Sequence, residues 1–277
     1  MVKTIGCIIA RTFSTRLPKK VLKRIKDKLL IEHIIFKLKG VKNIDLLYIC
    51  TSIDPSDNIL LKIAEMNGIE GYAGSRDVVI DRMLKVAEKE NATTLVRITG
   101  DNIFTDEIFT EKLIELHHKY NSDYSRVKSL PLGITTEIFS FKGLKKFYNQ
   151  IDPSQSEYLT YYVFYEENYL KKLILTPPKK FQYPFYSLTV DTPEDLERTL
   201  FIFNHLNHQK GIFLDDILEL HKRKPIPFLE VDNNLLIKFP NNVKKFYSEY
   251  LQELEEKYKN CMRFELEEDF YEKNKIK

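Results

Sequence analysis

Short β-branched or apolar runs alternate along the chain with longer segments whose apolar positions recur at helical spacing. That alternation is the signature of a mostly parallel sheet covered by helices on both faces, an α/β architecture. The runs predict strands at Thr4–Ala10, Leu46–Thr51, Glu70–Ala73, Thr94–Ile98, Thr135–Ser140 and Ser187–Val190. Helical periodicity predicts helices at Leu29–Leu38, Ser56–Asn67, Val78–Glu88, Asp106–Tyr120, Gly143–Gln150 and Gln155–Leu170. After the last strand, Thr192-Pro193-Glu194-Asp195 supplies an N-cap, a first-turn proline and two acids, which predicts a further helix to about Leu206. Past Pro227 the pattern changes to a polar loop and a charged, tyrosine-rich helix, Asn242 to Lys259, with Phe246, Tyr250, Leu251 and Leu254 on one side. The expected organisation is a main domain over residues 1–226 and a C-terminal helical extension over 227–277, packed on the body or on a second subunit. Tyr271 to Lys277 are expected to fray.

Composition narrows the class. With 277 residues, 43% hydrophobic and 30% charged, the chain is long enough for a substantial core and is ordinary for a soluble globular protein. No apolar run is long enough to cross a bilayer and no signal-peptide pattern opens the chain, so a cytoplasmic location is expected. Cys7, Cys50 and Cys261 are too few and too scattered for a disulfide framework or a zinc site. The net charge of +3 is too mild to argue for nucleic-acid binding. Clustering matters more: between Arg16 and Lys28 stand seven cations and one acid, Asp27.

That cluster begins in the most informative stretch. The apolar run Ile5-Gly6-Cys7-Ile8-Ile9-Ala10 opens abruptly into Arg11-Thr12-Phe13-Ser14-Thr15-Arg16-Leu17-Pro18-Lys19-Lys20. Cations and hydroxyls at the carboxyl end of a first parallel strand are what a polyphosphate requires, although a solvated basic turn would read the same way. Two aspartates occupy comparable places. Val96-Arg97-Ile98-Thr99-Gly100-Asp101 and Leu188-Thr189-Val190-Asp191 each end a predicted strand in an acid. Ligands bind beyond the carboxyl ends of strands in open α/β sheets, and magnesium uses one or two carboxylates together with phosphate oxygens. For Asp101 the bland alternative is a turn that caps the helix near Asp106; Asp191 is freed from capping by Thr192.

Taken together, Ala10 to Leu22, Arg97-Ile98-Thr99-Gly100-Asp101 and Val190-Asp191-Thr192-Pro193-Glu194-Asp195 resemble the cytidylyltransferase family. The nearest branch is the spore coat polysaccharide biosynthesis protein F group, related to the CMP-Kdo and CMP-acylneuraminate synthetases. The resemblance runs from about Thr4 to Pro225 and includes Gly74 to Arg82, Gly133 to Ser140 and the helix with Glu157 and Thr160. It implies a GT-A-like, Rossmann-related fold, a homodimer, and the reaction of CTP with an acceptor to give a CMP conjugate and pyrophosphate. Carried over, Arg11, Ser14, Arg16 and Lys20 would grip the triphosphate, and Asp101 and Asp191 would hold Mg²⁺. Asp81 and Arg82 become candidates for ribose or base contacts, and Arg97 and Glu137 for substrate binding. An acidic sugar of the Kdo or nonulosonate type is the expected acceptor, with Arg76, Arg97 and Arg126 as available cations; a phosphorylated sugar or phosphonate would suit the same cations.

The chain departs from the family pattern at three places. Lys19 replaces a common glycine, Tyr158 a histidine and Tyr161 a proline, the last two on the expected acceptor side. Scattered histidines, among them His117, His118, His205, His208 and His221, have no zinc or triad spacing, and Tyr158, Tyr161, Tyr162 and Tyr165 read as a packing face. Two other functions remain open. A glycosyltransferase on this fold predicts an Asp-x-Asp motif, and position 103 is Ile103; a non-catalytic nucleotide-binding protein would follow if Lys19 blocked the phosphates.

Overall fold

The computed structural model describes residues 2–152, 159–165, 170–207, 209, 211–232, 234–240 and 243–275. Its framework is an eight-stranded sheet. In chain order the first half supplies β1 (Thr4–Ile9), the small hairpin β2 (Arg24–Ile25) and β3 (Lys28–Leu29), α1 (Leu30–Lys39), β4 (Leu46–Ser52), α2 (Asn58–Met66), β5 (Glu70–Gly74), α3 (Val79–Glu90), β6 (Thr94–Thr99) and α4 (Glu107–Lys119). The second half supplies β7 (Tyr124–Val127), β8 (Glu137–Ser140), α5 (Phe141–Tyr148), α6 (Leu159–Tyr165), β9 (Lys172–Thr176), α7 (Pro193–His205) and α8 (Leu214–Arg223). The C-terminal part adds the hairpin β10 (Leu236–Lys238) and β11 (Lys244–Phe246), α9 (Tyr247–Tyr258), β12 (Met262–Glu265) and α10 (Phe270–Lys275).

The sheet order is β12-β9-β7-β8-β6-β1-β4-β5. Strand β8 runs antiparallel to both β6 and β7, while β1–β4, β1–β6, β4–β5, β7–β9 and β9–β12 are parallel. Alternate residues of β1 face opposite sides. Ile8 joins the core beneath α1, α2, α4, α7 and α8, and Ile5 and Cys7 join the core beneath α3, α5, α6 and α9. Burial on both faces explains why the central strands read as continuous apolar runs.

Three sequence expectations are corrected. Ser187–Val190 is extended but is not a strand of the sheet: its N–H groups go in turn to the carbonyls of Leu229, Leu132 and Asp101, so it bridges loops. The segment beyond Pro227 is not only helical, because β12 pairs with β9 at the edge of the main sheet and α9 packs on the body. Tyr271 does not fray; it is fully buried in α10, and its hydroxyl donates to the Asp106 carboxylate. Glu157, Tyr158 and the early part of the helix predicted from Gln155 lie outside the described residues. Tyr161 and Tyr165 stack with ring centroids 4.5 Å apart and Tyr162 is buried, as a packing face requires.

Candidate active site

The cationic loop is built to hold its shape. After β1 the chain runs through residues 11–19 and closes in a 3-10 turn at Lys20–Leu22, with Leu17 and Val21 buried as anchors. Its other attachment is Asp57, which follows β4. The Asp57 carboxylate accepts from the Thr12 N–H at 2.6 Å, the Thr12 hydroxyl at 2.7 Å and the Ser52 hydroxyl at 2.5 Å. Burial alone would raise this carboxyl, but those donors hold it below its ordinary value, so it stays ionised. At Lys19 the backbone is left-handed, φ 53° and ψ 35°, which is the conformation a glycine adopts without cost. Lys19 therefore preserves the path of the loop, and its side chain is exposed rather than part of the cleft wall.

Asp101, just beyond β6, and Asp191, at the end of the bridging segment, meet across this loop. Lys20 Nζ donates to Asp101 Oδ2 at 2.9 Å and to Asp191 Oδ1 at 2.5 Å. Arg16 lies 3.2 Å from the other Asp191 oxygen, and Thr99 donates to the other Asp101 oxygen. Asp101 is carried by the turn at Gly100, where an added Cβ would lie 3.0 Å from Ala10 Cβ and 3.2 Å from the Ile9 carbonyl oxygen. A side chain here would press on the end of β1 and force its neighbours back by a few tenths of an ångström. Asp191 arrives on the bridging segment, and the Val190 N–H bond to the Asp101 carbonyl, 3.0 Å, ties the two directly. Asp106, not Asp101, caps α4 by accepting from the Phe109 N–H at 3.1 Å. Thr192 caps α7 as its sequence implies, so both Asp101 and Asp191 are spared for other work.

Electrostatics agree with this geometry. Burial would raise the Asp101 carboxyl, yet Lys20 and Thr99 bring it below the ordinary carboxylate value. Burial would lower Lys20, yet the two aspartates leave it raised. Lys20 and Asp101 are thereby both held in their ionised forms at neutral pH.

Above the cluster opens a cleft of about 720 Å³. Arg11, Ser14, Arg16, Lys20, Arg82, Arg97, Asp101 and Asp191 all line it. Asp81 lies on the first turn of α3 and is not part of the lining. Arg82 is buried and donates to the Cys50 carbonyl at 3.2 Å. Glu137 is buried on β8, where it accepts from Arg97, from the Tyr124 hydroxyl at 2.6 Å and from the Thr160 hydroxyl at 2.7 Å. Glu137 holds Arg97 in place and is not part of the lining of this cleft.

The donor set suits a hard divalent cation that keeps water and takes phosphate oxygens. Among the described residues no group of three or more His, Cys, Asp and Glu side chains comes together for a metal. Two convergent carboxylates, compensated here by one ammonium, fit magnesium and would not suit zinc.

A family model described as Cytidylyltransferase matches residues 5–276. The chain belongs to the cytidylyltransferase family. It is 33% identical over 241 residues to an uncharacterized protein of Methanocaldococcus jannaschii, covering 87% of this chain and 95% of the relative. It is 30% identical over 224 residues to the spore coat polysaccharide biosynthesis protein SpsF of Bacillus subtilis, covering 79% and 93%. Among solved structures, a cytidylyltransferase from Leptospira borgpetersenii superposes with a TM-score of 0.75 at 25% identity, covering 82% of this chain and 98% of that one.

For a cytidylyltransferase, the supporting residues are as informative as the lining. Three escaped the sequence reading. Asp57 clamps the loop, as described. Arg198 on α7 is 1% exposed, pairs with Asp195 at 2.8 Å and donates to the carbonyls of Phe228 and Thr189, which fixes the segment leading to Asp191. Gly133, at φ 89°, lets that segment pass so close that an added Cβ would lie 2.8 Å from the Leu188 carbonyl carbon. Arg198 inside an amphipathic helix and Asp57 in the turn after β4 carry no motif of their own, and Gly133, though within the Gly133 to Ser140 segment of the resemblance, shows its close-packing role only in the structure. Next to the cleft lies a second cavity of about 710 Å³, which shares Arg97 and Thr99 with it and is closed by residues of α9.

Proposed function

We propose that this enzyme transfers the cytidylyl group of CTP to an anionic sugar acceptor with release of pyrophosphate, for the synthesis of a surface polysaccharide. The observation that carries the reading is the meeting of Asp101 and Asp191 on Lys20, at the mouth of a loop bearing Arg11 and Arg16. In the reaction an acceptor oxygen attacks the α-phosphorus, the bond from that phosphorus to the bridging oxygen breaks, and pyrophosphate leaves with the electron pair. The acceptor's proton passes to solvent or to a carboxylate of the site. Arg11, Arg16 and Lys20 neutralise the triphosphate, and Ser14 offers a hydroxyl to it. Asp101 and Asp191 hold Mg²⁺, which when bound offsets charge on the phosphates. Arg82 and Arg97 form the far wall, and Asp57 and Arg198 keep the loop and the Asp191 segment in register.

The polysaccharide assignment draws on the spore coat relative, and family membership supports CTP as the donor. Sugar transfer by an Asp-x-Asp enzyme fits poorly, since Ile103 is buried in the core and offers no second carboxylate. Asp101→Asn and Asp191→Asn test the assignment. Each is expected to lower turnover by about 100-fold or more at limiting Mg²⁺. Near-normal turnover in both would refute the shared role.

A further inference from the structure

The second cavity contains a cation that forms no ion pair among the described residues. Arg126 stands on β7 directly opposite Glu137 in the antiparallel register with β8, and its side chain lines the cavity. The carboxylate beside it is already taken by Arg97, Tyr124 and Thr160. Lys128, the next cation along, is paired with Glu255 at 2.6 Å. Arg126 has no ion pair among the described residues, and its Nε is buried without a hydrogen-bond partner. Burial works against its charge, yet the groups around it, Tyr258, Tyr124 and Glu137, more than offset that, so the guanidinium stays charged at the cavity wall. Its planar fork matches a carboxylate or a phosphate.

The rest of the wall suits a polyhydroxylated molecule. Burial holds the phenols of Tyr247 and Tyr258 neutral, with Tyr247 pushed up to about 12; the Tyr247 hydroxyl donates to the Pro184 carbonyl at 2.9 Å and keeps its oxygen as an acceptor. Ser248, Gln252 and Gln182 add hydroxyl and amide groups, and Leu251 an apolar side chain. One side of that wall is α9, from the part of the chain that also supplies β12. Because Arg97 and Thr99 belong to both cavities, a molecule seated on Arg126 lies against the nucleotide cleft.

We propose that this second cavity is the acceptor site, that Arg126 anchors the acceptor's anionic group, and that α9 is the wall that selects the acceptor. The proposal rests on the cytidylyl-transfer reading for the identity of the donor, but the anion site can be tested apart from it. Binding of 2-keto-3-deoxy-manno-octonic acid, of a hexose 1-phosphate and of their neutral counterparts is measured by calorimetry, with and without CTP and Mg²⁺. One anionic probe is expected to bind in preference to its neutral counterpart; which one binds identifies the group as carboxylate or phosphate. Arg126→Gln is expected to weaken that probe by about 30-fold or more and to erase the preference, with CTP binding changed by less than about twofold. Arg126→Lys, which keeps the charge and loses the fork, should recover only part of the affinity. Leu251→Trp, which fills the cavity from α9, should exclude the probe and leave CTP binding intact.

Equal binding of the anion to the wild type and Arg126→Gln would overturn the proposal, as would CTP binding with none of the anionic probes bound. Anion binding that Leu251→Trp leaves unchanged would remove α9 from it. An anion seated on Arg126 in a protein that fails to bind CTP would support the site and count against the donor reading alone.

Discussion

Replacing Lys20 by methionine isolates the electrostatics on which the site depends. The ammonium lies 2.9 Å from Asp101 and 2.5 Å from Asp191, and the three side chains are 16%, 19% and 25% exposed. At an effective dielectric constant of about 20, each pair is worth roughly 6 kcal/mol before desolvation is counted. Desolvation of a partly exposed cluster offsets much of that, and breaking a buried pair typically costs about 3–5 kcal/mol, so the expected loss at pH 7 is about 3 kcal/mol. The sign with pH is diagnostic. In the wild type the Asp101 carboxyl is depressed, so its stabilising contribution is present above the unfolded value near 3.9 and is lost as pH falls through the lower folded value. In Lys20→Met the buried Asp101 carboxylate loses its cation while Asp191 keeps Arg16, so Asp101 binds a proton more readily than in the unfolded chain and stability rises as pH falls from 7 to 5. Urea unfolding at pH 7 and pH 5 should therefore show the deficit shrinking by about half. Millimolar Mg²⁺ should stabilise the variant more than the wild type, because a divalent ion replaces the missing charge. A deficit below about 1 kcal/mol that does not vary with pH would refute this reasoning.

Three further substitutions probe the supports. Glu137→Gln should cost about 2–3 kcal/mol at pH 7 and flatten the acid limb of the stability curve; the depressed Glu137 carboxyl contributes above the unfolded value near 4.3 and loses that contribution as pH falls through its folded value, a change read by denaturation between pH 6 and pH 3. Gly133→Ala should strain the positive φ and push the Leu188–Asp191 segment away, lowering stability by about 2 kcal/mol and kcat/KM by roughly tenfold, measured by melting and pyrophosphate release. Lys19→Gly should keep activity and shift stability by no more than about 1 kcal/mol, whereas Lys19→Val, β-branched in a left-handed conformation, should melt well below the wild type.

Much of the architecture was legible because its determinants are local and strongly patterned. β1, β4 and β6 are apolar on both faces, and α7 carries a complete capping box with proline at its first position. The strands that went unseen are short or mixed. Tyr-Ser-Arg-Val in β7 and Met-Arg-Phe-Glu in β12 contain four residues each, and their pairing is decided by distant partners rather than by their own composition. Asp191 was expected at the end of a strand and instead ends a bridge between loops, yet it reaches Asp101 because Val190 bonds to the Asp101 carbonyl. The cations and acids of the cleft were visible in sequence as clusters and strand-end acids. The supporting roles of Asp57, Arg198 and Gly133 were not, because a clamp is defined by what it touches and its contacts lie far along the chain. Lys19 in place of a glycine left the path of the loop open, and the left-handed backbone it adopts appears only in three dimensions.

Cytidylyl transfer itself is tested most directly by pyrophosphate release from each of the four nucleoside triphosphates with Mg²⁺, against acidic sugars, sugar phosphates and phosphonates. The account predicts release with CTP and one anionic acceptor, no release with the neutral analogue, and loss of release in Asp101→Asn. Release without preference for CTP, or an inert protein that does not bind CTP, would contradict it.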